Sequence, residues 1–462
     1  MESLPIPLPI DPPAVPAAST SVGAGTGARP LLDRGAVAAT VAGNALEFYD
    51  FLTYATFAVY IGRAFFPTGN AFASLLLSLA TFGVGFVTRP LGGVLIGAYA
   101  DRAGRRPALM LTISLMTVGT LAMVVTPSYA SIGLAAPIIL IIARLVQGLA
   151  LGGEVGPSTA VLLECAPAHR RGTFVSWQNA SQGIAVLAAG VVGLALSSML
   201  DKEQLGAWGW RLPFALGLII VPVGLYIRRR LPETLEAPGT RGGGAVLGLL
   251  WREHRGTLLL SILIIMCMTV STYVSGYMTT YALTTLGMPA SKAMLATVAN
   301  GGVMAVAAVL GGRLSDRYGR KPVMILPRIA LLIVEVPAFM LLLAHSTPAN
   351  LVLVTALLTL LGTLSGAAAL TALGEAFPNQ VRSSGLAVSY AISVSVFGGT
   401  TQFIVAWLIG VTGNRVSPGY YVVVTSIISL WAMFRLPPPL SPAAARRSPP
   451  SQEATGTALP PL

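Results

Sequence analysis

Long apolar segments separated by short polar turns make up most of the chain. Twelve of them contain the roughly 20 mostly apolar residues that an α-helix needs to cross a bilayer. They cover residues 36–61, 72–99, 107–126, 134–163, 173–199, 212–228, 256–285, 291–313, 322–343, 350–375, 383–410 and 419–435. The pattern therefore predicts an all-α membrane protein with twelve transmembrane helices.

One longer connection divides the twelve segments into two sets of six. It covers residues 229–255 and contains two prolines and a run of three glycines. We therefore expect one six-helix bundle in residues 35–228 and a second in residues 256–436. The terminal segments 1–34 and 437–462 are rich in Pro, Ala, Gly and Ser, and we expect both to be disordered cytoplasmic tails.

A polar decapeptide occurs once in each half. Residues 97–106 read GAYADRAGRR and residues 312–321 read GRLSDRYGRK, each between two apolar segments. A second pair, Glu164-x-x-Pro167 and Glu375-x-x-Pro378, closes the fourth and tenth segments. The halves are therefore predicted to be duplicated, pseudo-symmetric bundles with a substrate site between them near mid-membrane.

Composition and charge support a membrane protein. Hydrophobic residues make up 54% of the chain and charged residues 10%, with a mean hydropathy of +0.75, whereas soluble domains carry about 25% charged residues. The net charge of +12 comes mainly from Arg and Lys in short loops on one side of the predicted bundle, so nucleic-acid binding is not indicated. The positive-inside rule then places both termini and the central loop in the cytoplasm.

Several chemistries lack their sequence signatures. No phosphate-binding loop of the ATP-driven type occurs, and the two cysteines and three histidines show no metal-ligand spacing. We therefore expect no ATP use, no metal and no cofactor.

The duplicated decapeptide resembles the hallmark loop of the major facilitator superfamily. EFYDF at 47–51, RPLGG at 89–93 and RLVQG at 144–148 followed by GGE at 152–154 resemble the metabolite:proton symporter branch. SWQNASQ at 176–182, WGWRLPF at 208–214 and RRLPET at 229–234 are similar to citrate and tricarballylate symporters. The resemblance covers about residues 35–436, although Phe48-Tyr49 departs from the citrate symporters.

The resemblance implies a function and its partners. It implies a monomeric transporter of a bacterial inner membrane that imports a small carboxylate, citrate or a related tricarboxylate, together with protons by alternating access. Alternatives within the fold are 2-oxoglutarate, shikimate or a zwitterionic osmolyte such as proline or betaine. Drug:proton antiport is disfavoured because helix five lacks a Gly-Pro motif, and a non-transporting sensor or a lipid-modifying enzyme is disfavoured by the short loops.

Ionisable side chains within the predicted helices are candidates for function, since charge is costly inside a bilayer. Glu47 and Asp50 share one face of helix one, where burial favours proton binding by at least one carboxyl group. The alternative is a structural pair neutralised by Arg89 or Arg144. We expect these carboxyl and guanidinium groups to share one cavity.

Arg89 is the first candidate for substrate binding, because its planar guanidinium suits a carboxylate. The proline that follows it is expected to bend the helix. The resemblance assigns proton transfer to Arg144 and Gln147, and Gln147 is also a candidate substrate contact. Glu154 is a further candidate for proton coupling, and it could also be a gate partner or a packing charge.

Polar and aromatic side chains on helices five and seven are further candidates for lining the cavity. Trp177, Gln178 and Gln182 lie on neighbouring turns, although an interhelical hydrogen-bond role fits the amides almost as well. Tyr273 and Tyr277 begin a tyrosine stripe that continues to Tyr281. Weaker candidates of the same kind are Asn300, Tyr390, Ser393, Thr400 and Gln402.

The duplicated loops are predicted to form a cytoplasmic gate. Their aspartates can cap helix starts, and their arginines can pair with glutamates on the same surface. Simple anchoring of topology by positive charge is an alternative. The candidate gate residues are Asp101, Arg102, Arg105, Glu164, Asp316, Arg317, Arg320 and Glu375.

Overall fold

The computed structural model describes residues 34–103, 105–152, 162, 166–229, 248, 250–378 and 381–437. Within these ranges the chain is helical and contains no β-strand. The described parts of all twelve predicted segments are predominantly helical, and the predicted twelve-helix fold class is confirmed. Apart from residues 34 and 437, both predicted tails lie outside the described residues, and so does most of the predicted linker 229–255.

Six long helices are described in the first half. They are α1 (Arg34–Phe65), α2 (Ala71–Val87 continued by Arg89–Ala103), α3 (Arg105–Val125), α4 (Ala135–Leu151), α5 (Arg171–Met199) and α6 (Leu212–Arg229). We call the end at which α1 begins the inner end, and the opposite end the outer end.

The second half repeats this order. It contains α7 (Arg255–Thr284), α8 (Ala290–Tyr318), α9 (Arg320–Ala344), α10 (Pro348–Ala376), α11 (Arg382–Ser393, the π-helical turn Val394–Gly398 and Gly399–Thr412) and α12 (Ser417–Arg435). Eight helices among the described residues are long and apolar enough to cross a membrane by length and composition. The π-helical turn was not predicted.

Small residues join the two halves along α5 and α8. A Cβ atom on Gly301 would lie 2.1 Å from the backbone nitrogen of Leu187, and one on Gly183 would lie 2.4 Å from that of Ala305. Glycine and alanine let helix backbones approach this closely inside a bilayer, where packing drives association. The α5–α8 contact therefore fixes one side of the space between the halves.

Helix α2 is interrupted next to the proline for which a bend is expected. Thr88 interrupts the helix, and its hydroxyl donates to the carbonyl of Leu145 on α4 at 2.7 Å. Pro90 lacks an N–H group and occupies the first turn of the new segment, where no donor is needed. The break places Arg89 at the start of that segment, facing the middle of the molecule.

Candidate functional site

A small cavity lies between the halves, enclosed by α5, α7, α8, α10 and α11. Its volume is about 40 Å³, room for water molecules in the closed arrangement seen here. Its polar lining comes from both halves: Asn179, Gln182, Thr269, Thr272, Tyr273, Thr363 and Tyr390.

Arg89 lies next to this cavity. Its side chain is buried, and its guanidinium lies 4.1 Å from the ring centroid of Phe86 and 4.5 Å from that of Phe51. The guanidinium also contacts the hydroxyl of Tyr273 and interacts electrostatically with Tyr390, both of which line the cavity. Its Nε and Nη2 atoms have no hydrogen-bond acceptor among the described residues. Arg89 is therefore a buried cation with spare donors beside the cavity.

Arg144 is the second buried cation of the first half, and no solvent reaches it. Its guanidinium lies 4.1 Å from the ring centroid of Tyr54 and 4.6 Å from that of Phe51. Nη1 donates to Gln147 at 2.8 Å, whereas Nε and Nη2 find no acceptor in the described part of the chain. Since Phe51 also contacts Arg89, its ring lies between the two cations.

Asp50 is linked to Arg144 through two neutral side chains. Gln147 Nε2 donates to Thr120 Oγ1 at 2.9 Å, and Thr120 Oγ1 donates to Asp50 Oδ2 at 2.8 Å. Oδ1 has no hydrogen-bond partner, and no ion pair joins Asp50 to either arginine among the described side chains.

The position of Asp50 differs from the sequence expectation of one shared cavity. Its carboxyl group lies between α1, α3, α4 and α6, close to Gly217. It therefore lies inside the first bundle, behind the cavity wall. The reason is that α1 packs against α6 at this level, so the face that carries Asp50 is turned away from the second half.

The α5 candidates divide between two tasks. Gln182 lines the cavity and contacts the hydroxyl of Tyr390. Gln178 donates instead to Asn44 Oδ1 on α1 at 3.1 Å, which is the interhelical role that sequence reasoning left open. Trp177 is only half buried and is not part of the cavity lining.

The tyrosines of α7 lie at different depths. Tyr273 lines the central cavity, whereas Tyr277 lines a separate cavity nearer the outer end. Tyr281 donates to the backbone carbonyl of Arg415 at 2.9 Å and packs edge-on against Phe339. Among these three, Tyr273 is the one that meets Arg89.

The outer cavity is much larger than the central one. Its volume is about 930 Å³, and both halves contribute to its lining. Its charged lining residues are Arg63, Lys202 and Arg415, all exposed, and no carboxylate belongs to the lining among the described residues. This end of the space between the halves is therefore wide and positively charged.

The inner end is closed by a contact between the halves. Asp316 of α8 accepts hydrogen bonds of 2.8 Å from the backbone N–H groups of Gly172 and Thr173, at the start of α5. Arg320 donates to Asp316 at 2.7 Å and forms a bidentate pair with Glu375 at 3.0 and 3.1 Å. The predicted cap by Asp316 and the predicted Arg320–Glu375 contact are thus present.

Other candidate gate residues do not join this contact or cannot be placed. Arg317 is exposed and stacks on Tyr318. The side chains of Glu47, Asp101, Arg102 and Arg105 lie outside the described part of the structure, as do residues Glu154 and Glu164.

Sequence reasoning missed two buried charges on α9. Arg328 is fully buried and Glu335 is 2% exposed, both inside the second bundle. The signal was available, since each interrupts the apolar segment 322–343. The rule that drew attention to Arg89 and Asp50 applies to them equally.

The fold and site agree with the comparison to known families. Residues 40–393 and 260–460 match the Major Facilitator Superfamily. The chain belongs to this superfamily, and it is an integral membrane transporter, not an enzyme.

Two relatives with different named substrates illustrate its place in the superfamily. A citrate-proton symporter of Klebsiella pneumoniae is 37% identical over 408 residues, covering 86% of this chain and 90% of the relative. A glycine betaine/proline/ectoine/pipecolic acid transporter of Dickeya dadantii is 36% identical over 415 residues, covering 86% and 82%. Among solved structures, a D-xylose-proton symporter has a TM-score of 0.68 at 21% identity, covering 87% of this chain and 96% of that one, which shows the common fold.

Proposed function

We propose that this chain is a proton-coupled symporter that imports a small carboxylate, citrate or a related tricarboxylate, across a bacterial inner membrane. Both termini are proposed to be cytoplasmic. The observation that carries the proposal is the buried guanidinium of Arg89, with two unfilled donors beside the central cavity.

A buried cation favours an anionic ligand. Moving an unpaired charge away from water is costly, and the aromatic rings around Arg89 offset only part of this cost. A carboxylate in the cavity would supply the missing negative charge and accept charge-assisted hydrogen bonds from the planar guanidinium. Tyr273, Tyr390 and Gln182 would then contact the remaining oxygen atoms of a polar substrate.

The outer cavity supports the same class of substrate. Three cations line it without a carboxylate in the described lining, so its field attracts anions and raises their local concentration. A multiply charged anion gains more from this field than a zwitterion, whose charges cancel at a distance.

Coupling to protons follows from the charge balance around Arg144. When Asp50 is ionised, it compensates Arg144 through Thr120 and Gln147. When Asp50 binds a proton, this compensation is lost, and the pair Arg89 and Arg144 presents net positive charge to the cavity. Proton binding therefore strengthens anion binding, which is the thermodynamic requirement of symport.

Alternating access would use the contact at the inner end. With Asp316 bound to the start of α5, the inner end stays closed, and substrate would reach the site from the outer cavity. Breaking this cap and rocking one half against the other would open the site to the cytoplasm.

The second candidate is a zwitterionic osmolyte, favoured by the identity to the Dickeya transporter. A zwitterion needs an anionic group for its ammonium. Asp50 lies behind the wall, and the described cavity lining contains no carboxylate, so the geometry favours an anion. The further alternatives, 2-oxoglutarate and shikimate, are themselves anions and use the same chemistry.

A ligand screen tests the substrate class. The thermal stability of the purified protein is measured at two pH values with citrate, tricarballylate, 2-oxoglutarate, shikimate and betaine, since a ligand of the native state raises it by mass action. We expect citrate or tricarballylate to stabilise the protein more at the lower pH. Stabilisation by betaine alone would overturn the proposed substrate class.

A further inference from the structure

The second bundle contains a buried guanidinium group and a buried carboxyl group outside the site described above. Arg328 and Glu335 lie seven residues apart on α9, which places them on one face two turns apart, about 10 Å along the axis. Solvent reaches none of Arg328 and 2% of Glu335. Neither residue has a part in the mechanism proposed above.

Arg328 binds neutral partners. Nη1 donates to Ser271 Oγ at 2.8 Å and to Cys267 Sγ at 3.2 Å on α7, and Nε donates to Ser365 Oγ on α10 at 3.3 Å. Nη2 has no acceptor among the described residues. The guanidinium of Arg328 therefore connects α7 to α10 by hydrogen bonds, and its Nη2 group is still able to donate.

Glu335 has one charged neighbour in the described structure. Arg328 acts on it electrostatically, but no ion pair within 4.0 Å joins them. A buried carboxylate without a direct partner is costly, so it gains either by binding a proton or by drawing Arg328 toward it. These two responses exclude each other.

Tyr420 and Tyr421 of α12 follow Gly419, whose added Cβ atom would lie 3.6 Å from the backbone carbonyl oxygen of Glu335, and Tyr281 of α7 packs on Phe339, one turn from Glu335. The charged groups on the surrounding helices lie elsewhere along the bundle. Glu375 of α10 is engaged by Arg320 at the inner end, and Arg435 of α12 stacks on Trp431 at the same end. The remaining titratable groups on α7, α8 and α9 are Arg255, Cys267, Tyr273, Tyr277, Lys292, Arg313, Asp316, Arg317, Tyr318, Arg320 and Lys321.

The helices held by Arg328 are also walls of the central cavity. Thr272 and Tyr273 line the cavity directly after Ser271, and Gly366 lines it directly after Ser365. In both α7 and α10, therefore, the residue that contacts Arg328 is followed directly by a residue that lines the cavity. A shift of Arg328 toward Glu335 would release Ser271 and Ser365 and loosen this wall.

We propose that Glu335 is a second proton-binding site of the transporter, and that Arg328 transmits its protonation to the cavity wall formed by α7 and α10. The proposal rests on the proposed proton-coupled function and adds a site in the second bundle to Asp50 in the first. With Glu335 protonated, Arg328 remains bound to the serines. With Glu335 ionised, Arg328 is drawn along α9 and the wall relaxes.

Infrared difference spectroscopy tests proton binding without any substrate. The full-length protein in liposomes is titrated with acid, and the carbonyl band of protonated carboxylic acids is recorded for wild type, Glu335→Asp, Glu335→Gln and Asp50→Asn. We expect a titrating band that shifts in Glu335→Asp, disappears in Glu335→Gln and persists in Asp50→Asn. If Glu335→Gln fails to fold, the shift in Glu335→Asp still decides. A band unchanged in the Glu335 variants would overturn the proposal.

Transport separates this proposal from the proposed function. Proton influx and labelled citrate uptake are measured in the same proteoliposomes. We expect Glu335→Gln to retain citrate exchange but to carry fewer protons per citrate than wild type, and Glu335→Asp to restore the wild-type ratio. A wild-type ratio in Glu335→Gln would refute the second site while leaving the symporter intact, whereas wild-type uptake without protons would refute the proposed function itself.

Discussion

The hydroxyl of Thr120 donates a hydrogen bond of 2.8 Å to Oδ2 of Asp50. The same oxygen accepts a hydrogen bond from Gln147, so the single proton of the hydroxyl is committed to the carboxyl group. This arrangement suits an ionised Asp50 and connects it to Arg144 without a direct ion pair. Asp50 can therefore bind a proton and lose its charge without breaking a direct salt bridge.

Asp50→Asn should separate transport from proton coupling. The amide keeps the size of the side chain but holds no exchangeable charge, so Arg144 stays uncompensated throughout the cycle. We expect citrate accumulation driven by a pH gradient to fall roughly tenfold or more, equivalent to about 1.4 kcal/mol, while citrate exchange continues. Asp201→Asn is the matched control, since Asp201 caps a short exposed helix, Lys202–Ala207, at the outer end. Unchanged accumulation in Asp50→Asn would remove Asp50 from the mechanism.

Arg89→Lys should weaken substrate binding. Lysine keeps the positive charge but loses the planar, bidentate donor set. Because a hydrogen bond to a charged group contributes about 1.5–3 kcal/mol, we expect the KM for citrate to rise roughly tenfold or more. Uptake kinetics in proteoliposomes measure this. Arg317→Lys, at an exposed position against Tyr318, should behave as wild type, and an unaltered KM in Arg89→Lys would exclude the substrate role.

Sequence alone could predict the fold and part of the site. Apolar length identified all twelve helices, and the duplicated loops identified the pairing of Arg320 with Glu375. The rotation of a helix about its axis depends on tertiary packing, which is why sequence could not show that Asp50 faces α3 and α6. Nor could the sequence show that Tyr273 and Tyr277, one turn apart on α7, line two different cavities.

Phe51 and Asn44 make contacts with residues distant in the sequence, and these contacts could not be predicted. Phe51 looks like an ordinary core aromatic in the sequence, and only the structure shows its ring between two guanidinium groups. Asn44 satisfies Gln178 across two helices that are far apart in sequence. Neither contact has a local pattern that sequence reasoning can detect.

Gly312→Ala should prevent closure at the inner end, and its duplicated counterpart provides the control. A Cβ atom on Gly312 would lie 2.5 Å from the carbonyl oxygen of Gly172, whereas one on Gly97 would meet no described atom within 4 Å. We expect Gly312→Ala to favour the inward-open form and to lose most uptake, and Gly97→Ala to transport normally. Labelling of single cysteines introduced at the inner end would report the change, and equal uptake by both variants would contradict the closed contact described here.

The three outer cations should act through the rate of substrate capture. Changing Arg63, Lys202 and Arg415 together to Gln removes the positive field of the outer cavity without altering the central site. We expect a lower kcat/KM for citrate and a weaker dependence on ionic strength, since screening acts on that field. The kcat at saturating citrate should stay near wild type. A salt dependence equal to that of wild type would show that the field has no part in capture.

Substrate-driven proton flux tests the central claim most directly. Proteoliposomes that enclose a pH-sensitive dye, without an imposed pH gradient, receive external citrate, and the voltage is clamped with an ionophore. We predict acidification of the interior in the wild type and a roughly tenfold slower acidification in Arg89→Lys at the same low citrate concentration, as the expected rise in KM requires. Citrate uptake with no change of internal pH, or no citrate uptake at all, would contradict it.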